Sequence, residues 1–357
     1  LFDKKAAHDL YKGLFIDRSW LANDDGVPYR EVKVISSGSL ATLPLSLLIT
    51  QDLPDGITDW KEDSLLDVGW LIKDVAISYL PSLRAVAASE EGRRRVHALD
   101  YLGFGVNKVQ SLTAEQKKSL PGECANDIET LQDMAQLEVE TEIAEVAAAF
   151  DSDDGTPRAA HVLGASFTAA TLKENADRIR QARILHFASH AFQAGLLRCL
   201  KEPGIQVNPP EKVEKFADLF LTATAVSELK LDADLVVLSA CSTASSGGGP
   251  DSEPMSGLVN GFLVAGARSV MTTFWDAPDT ASAMAITSLF NQLKTAPHMS
   301  VAEGLRQAQL QVLRAPLSLG PNGLPYDLAY SHPFAWAVFG LVGNGGGATI
   351  TTTSSSS

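Results

Sequence analysis

The chain has 357 residues, 45% hydrophobic and 20% charged, the make-up of one large folded domain or two ordinary ones. A formal net charge of −14, from 29 basic and 43 acidic residues, argues against direct binding of nucleic acid, whose phosphates require a basic surface. No run of 18 apolar residues occurs, so no membrane-spanning helix is expected, and the opening stretch LFDKKAAHDLYKGLF lacks the basic start and apolar core of a signal peptide.

In chain order, an amphipathic helix over about Lys4 to Leu14 leads through the turn ANDDGVPYR to the strand EVKVIS. GSLATLPLSLLI reads as a short loop and an apolar element. A second strand over about Asp74 to Tyr79 stops before Pro81, and a helix from Ser82 to Glu91 precedes a third strand within VHALDYLGFGV. Asn107 to Asp127 is polar and turn-rich, and a helix is expected from Ile128 to Phe150. DSDDGTPRA is the clearest linker-like break. The rhythm then becomes more regular: strand AHVLG, helix TAATLKENADRIRQ, strands RILHFASHA and DLVVLSA, helix PMSGLVNGFLVAG, strand ARSVMTTFW, two helices, and the closing HPFAWAVFGLVG. Residues 346–357 are low in complexity and expected to be disordered.

Strands alternating with helices predict an α/β fold, a three-layer α/β/α sandwich with a mostly parallel sheet covered on both faces. Active sites in such sheets lie at the carboxyl ends of the strands. Two reactive side chains fall there. Cys241 follows the strand Leu235 to Ser239, and His190 follows the strand Ile184 to Ser189. An imidazole beside a thiol can take its proton and later protonate a leaving amine. The small residues around them, Ala191, Ser242 and Gly247 to Gly249, let backbone approach a substrate closely. The separation of 51 residues is close to the His–Cys spacing of caspases.

Asp276 and Asp279 follow the strand SVMTTFW and reach the same sheet edge, with Asp279 also suited to cap the next helix. Other residues point to structure. His186 lies within a strand and reads as a buried histidine, and no HExxH glutamate accompanies the pair His186 and His190, so no metal site is expected. SSGGGPDSEP lacks the Lys and Ser/Thr of a phosphate loop and reads as a mobile active-site loop. His332 reads as packing or capping, and Trp275 and Trp336 as core or groove aromatics. Cys124, Cys199 and Cys241 show no paired spacing, which speaks against a disulfide framework or a CxxC knuckle and for a reducing compartment, the cytoplasm. The first residue is Leu, which fits a trimmed product of a longer chain.

ARILHFASHA, DLVVLSACST, GFLVAGARSVMTTFWDAPD and HPFAWAVFGLVG occur in that order, preceded by GSLATLPLSLL and LTATAVSELKLDADLVVLSAC. Over roughly Leu10 to Gly343 the chain resembles the CHAT family, caspase-like and separase-related cysteine peptidases often fused to tetratricopeptide repeats. The resemblance implies a caspase-like fold, with residues 1–155 as a pseudo-caspase lobe with its connecting helix and 156–345 as the catalytic lobe. It implies a His190–Cys241 dyad needing no cofactor, with the N–H groups of Ala191 and Cys241 as the oxyanion site. Ala191 stands where the family usually has glycine. It further implies that Asp279, or second Asp276, receives a basic side chain before the scissile bond. Family settings include prokaryotic defence and cell death. There, a sensor or repeat region or a regulatory protein controls the peptidase, and the substrate can be a gasdermin-like or toxin-like protein. The alternative is a catalytically silent CHAT module with a regulatory or scaffold role.

Overall fold

The computed structural model describes residues 2–15, 19–36, 38–52, 65–81, 97–150, 156–239, 257–276, 279–296, 298–316 and 330–345, with backbone alone for 38, 39 and 279. The helix expected at Ser82 to Glu91, Cys241 with its glycine-rich loop, most of the DSDDGTPRA break and the tail all lie outside them.

In chain order the elements are α1 (Lys4–Leu14), β1 (Glu31–Val34), α2 (Leu71–Asp74), β2 (Ala76–Tyr79), β3 (Leu99–Gly105), α3 (Ala114–Ser119), α4 (Ala125–Gln132), α5 (Val139–Ala149), β4 (Ala159–Leu163), α6 (Ala169–Glu174), α7 (Ala176–Gln181), β5 (Ala182–Ala188), β6 (Ala191–Phe192), β7 (Gly204–Gln206), β8 (Phe220–Thr222), α8 (Ala223–Ser227), β9 (Leu235–Leu238), α9 (Gly257–Ala265), β10 (Ser269–Thr273), α10 (Asp279–Thr295), α11 (Val301–Arg314), α12 (Pro333–Trp336) and β11 (Phe339–Gly343). Eight strands form one sheet in the order β1-β2-β11-β10-β9-β5-β3-β4. Neighbours run parallel except β10 and β11, which are antiparallel. The expected three-layer, mostly parallel sandwich is therefore present, and strands from both sequence lobes share its sheet.

β5 shows why the sheet needs cover on both faces, since every one of its residues is buried. Successive side chains alternate between faces. His186 packs towards Phe290 of α10, with ring centroids 6.0 Å apart, and Phe187 packs between Phe104 and Phe262 of α9 at 5.0 and 5.2 Å. At the amino ends of the strands, buried or half-buried charges are paired rather than left alone. Asp100 at the start of β3 bridges Arg158 at 2.7 Å and Arg183 at 2.9 Å, and Arg268 pairs with Asp232 and Asp234. The carboxyl ends of the central strands lie at the opposite edge.

Four local expectations need correction. Asn107 to Asp127 contains α3, started by a capping box in which Thr113 and Gln116 exchange hydrogen bonds. The helix expected at Ile128 to Phe150 is two helices, broken over residues 133–138. No Gly or Pro sits in the break. Asn107, beyond the end of β3, makes it: its carbonyl accepts from Leu137 N–H at 2.8 Å, and it exchanges two 2.9 Å bonds with Glu140. The helix TAATLKENADRIRQ likewise divides at Asn175, and a three-stranded antiparallel sheet, β6-β7-β8, was not legible at all. Finally, Cys124 and Cys199 form a disulfide, their Cα atoms 5.7 Å apart across 75 residues of sequence. The fold supplies the proximity that spacing lacked, and the cysteine argument for a reducing compartment falls away.

Gly103 and Gly105 fit α5 to the sheet, because a Cβ at either position would run into the side chain of Ile143. Gly103→Ala is expected to cost about 1–3 kcal/mol by overpacking, read as a lower urea midpoint. An unchanged midpoint would show that α5 does not depend on this close approach.

Candidate active site

Adjoining strands bring His190 and, as far as Ser239, the segment that leads to Cys241 to one edge, and Cys241 itself lies outside the described residues. Phe187 of β5 is in register with Leu238 of β9, and Ser239 N–H donates to the Phe187 carbonyl at 2.9 Å. His190 lies two residues past the end of β5, and Cys241 two residues past Ser239. β10, on the far side of β9, brings Asp276 to this same edge, exposed. Asp279 opens α10 a short way on, at the start of the helix it was expected to cap.

His190 is held from two sides. Its backbone carbonyl accepts from Gln206 N–H at 2.7 Å, while the preceding Ser189 hydroxyl donates to the Gln206 carbonyl at 2.8 Å. Its side chain is 8% exposed, and its Nε2 lies 2.8 Å from the Ala135 carbonyl in the break between α4 and α5. A carbonyl oxygen only accepts, so Nε2 carries a proton, and in the neutral ring the lone pair lies on Nδ1. That tautomer leaves Nδ1 as a base. Among the described residues the orienting group is a backbone carbonyl, exposed by a helix break that periodicity hides.

Ala191 pairs with Ile205, and the flanking bond from Gln206 N–H to His190 makes this a non-hydrogen-bonded position of the ladder. Ala191 N–H therefore points away from β7. A methyl group in place of the glycine hydrogen keeps that donor.

Beneath the edge lies a second buried histidine. His186 Nδ1 is 2.8 Å from the Tyr101 hydroxyl, and its Nε2 is 3.4 Å from Glu142 Oε1. Burial pushes the imidazole down to about 3 and holds the Tyr101 phenol well above its ordinary range. The phenol thus donates to Nδ1, and His186 is neutral and structural, as its place in a strand suggested. Ser239 Oγ reaches the same Glu142 oxygen at 3.5 Å. Because unfolded His186 takes a proton below about 6.5 and the folded ring does not until about 3, the unfolded state binds more protons between these values. Stability therefore falls as pH drops through this window. Between pH 7 and 5, wild type should lose up to about 2 kcal/mol more than His186→Gln in urea unfolding. Equal losses would contradict a neutral, buried ring.

Of the other aromatics, Trp336 is fully buried, and Trp275 stacks on Phe334 with centroids 6.2 Å apart while its Nε1–H donates to the Phe334 carbonyl. His332 caps α12, accepting from Phe334 N–H, as expected. Among the described residues, no group of three or more His, Cys, Asp or Glu side chains is placed to hold a metal ion, and no helix is long and apolar enough to cross a membrane.

Mouse tetratricopeptide repeat protein 28 is 28% identical over 205 residues, which is 49% of this chain but 8% of that protein, so the match spans a small part of its relative's length. Among solved structures, the complex of Porphyromonas gingivalis RgpB pro- and mature domains aligns with a TM-score of 0.50 at 9% identity, covering 98% of this chain and 69% of that one. RgpB itself is described as the Arg specific cysteine proteinase gingipain R. The Saccharomyces cerevisiae separase–securin complex aligns with a TM-score of 0.41 at 14% identity, over 76% of this chain and 14% of that one. The match to RgpB is one of fold. The CHAT domain family model matches residues 4–344, nearly the whole chain, and this protein belongs to the CHAT domain family.

Proposed function

We propose that this protein is a cysteine endopeptidase in which Cys241 is the nucleophile and His190 its general base and acid. The observation that carries the reading is the Nε2 bond to Ala135, which leaves the His190 Nδ1 lone pair at the edge where β9 delivers the chain to Cys241. Nδ1 takes the thiol proton, the thiolate attacks the scissile carbonyl, and the protonated ring then gives its proton to the leaving amine. Water, activated by the same nitrogen, releases the acyl group. The N–H of Ala191, turned away from β7, and that of Cys241 receive the oxyanion.

Residues 156–345 carry this chemistry, and 1–155 buttress it by supplying the Ala135 carbonyl. Substrate selection is assigned to the carboxylates past β10, Asp279 first and Asp276 second, which suit an Arg or Lys before the cut. The substrate is a protein, and a repeat-containing or sensor region, of the kind the name of the mouse relative suggests, controls access to it. Defence or cell-death settings fit such an effector.

The test is digestion of a diverse peptide library by wild type beside Cys241→Ala and Asp279→Ala, with products read by mass spectrometry. Cuts after Arg or Lys that vanish in Cys241→Ala and lose their preference in Asp279→Ala are expected. Cuts that persist in Cys241→Ala would end the peptidase assignment, and an unchanged preference in Asp279→Ala would end the pocket.

A further inference from the structure

The Cys124–Cys199 disulfide closes a circuit that runs through the catalytic histidine. From Cys124 the chain passes along α4 to Ala135, whose carbonyl accepts from His190 at 2.8 Å. From His190 it passes along β6 to Cys199, and the disulfide returns to Cys124. One covalent bond thus fixes the distance between the two segments that the ring hydrogen bond joins. The bridge sits in a small apolar cluster apart from the main core, with Ile128 and Leu131 of α4 packed among Leu197, Leu200 and Phe220.

The Asp127 carboxylate accepts from Cys199 N–H at 2.7 Å, which again joins α4 to the same loop. Where α4 meets β7 the fit is incomplete. Gln132 Nε2 and Gln206 Oε1 are buried beside one cleft, and neither has a hydrogen-bond partner among the described residues. Unpaired polar atoms of this kind weaken an interface, so packing alone holds α4 less firmly than the covalent link does.

We propose that Cys124–Cys199 is a redox site that governs His190: the disulfide holds the Ala135 carbonyl against Nε2, and its reduction frees α4 and releases the ring. The reductant is a dithiol. Its two electrons and two protons break the S–S bond and leave two thiols, and the dithiol closes into its own disulfide. In the oxidised protein Nδ1 is the base and the dyad is set. In the reduced protein the tautomer is no longer imposed. The consequence for catalysis rests on the peptidase reading above, whereas the effect on the ring does not.

The experiment is nitrogen-15 NMR of the imidazoles in wild type before and after dithiothreitol and in the double variant Cys124→Ala/Cys199→Ala, with His190 assigned by His190→Gln and His186 serving as the fold control. Alkylation and intact mass establish the starting state, with one of the three cysteines expected to be free. The expected result is a single Nε2–H tautomer of His190 in the oxidised protein and a mixture in the other two samples, with His186 unchanged. Cleavage of a peptide selected from the library should fall about 10- to 100-fold on loss of the bridge, the scale of a catalytic group displaced by about an ångström. Three free thiols in protein never exposed to reductant, or the same His190 signals in all samples, would overturn the redox site. If the ring changes as expected but no sample cuts peptides, the peptidase reading fails and the redox site stands.

Discussion

His190→Ala is expected to lower kcat/KM for peptide cleavage by about 10²- to 10⁴-fold, the usual contribution of a positioned general acid and base. Two losses combine. Near neutral pH a thiol without a base is only a few per cent thiolate, and the departing amine loses its proton donor. The imidazole is nearly buried and bonded through Nε2 to Ala135, so Nδ1 is the nitrogen left for the proposed proton transfer. His190→Gln retains a side-chain N–H that can reach the carbonyl but offers no comparable base, so it should keep the fold and lose the rate. KM should change little in both variants, because the ring moves protons rather than binding substrate. Steady-state kinetics on one library-selected peptide tests this. A His190→Gln enzyme within about threefold of wild type would remove His190 from the chemistry, given the scale above.

The second large effect is on stability. Asp100→Ala should destabilise the protein by about 3–5 kcal/mol in urea unfolding, since it strips Arg183 of its carboxylate in a buried setting. Burial already pulls the Arg183 guanidinium below its ordinary value, and Asp100 is the charge that opposes the pull. Arg180–Asp177 has almost the same separation, 2.8 Å against 2.9 Å, but both side chains are exposed. Asp177→Ala should therefore change stability by less than about 1 kcal/mol. Similar losses in the two variants would mean that burial does not set the value of these pairs.

What the sequence disclosed and what it hid divide along contact range. β3, β5, β9 and β10 announce themselves as apolar runs closed by small or polar residues, and the ends of these strands alone predict that His190 and Asp276 lie at one edge of the sheet. The break that exposes Ala135 was not legible, because DMAQLE contains neither Gly nor Pro and the helix is interrupted by Asn107, 33 residues upstream of Glu140. The disulfide joins cysteines 75 residues apart, and β6, β7 and β8 hold two or three residues each, too few for a period to show. Each hidden feature belongs to the support of His190 rather than to the residue itself. The sequence shows His190 at the end of its strand but not what holds it there.

The most direct test of a thiol activated by His190 is the rate of Cys241 alkylation by iodoacetamide as a function of pH, in oxidised wild type and in His190→Gln. With Cys124 and Cys199 bridged, Cys241 is the remaining cysteine of the three, so labelling reports on it alone. Wild type is expected to titrate below the ordinary thiol value near 8.5, and His190→Gln to return to that value. The same ordinary titration in both proteins would contradict the account.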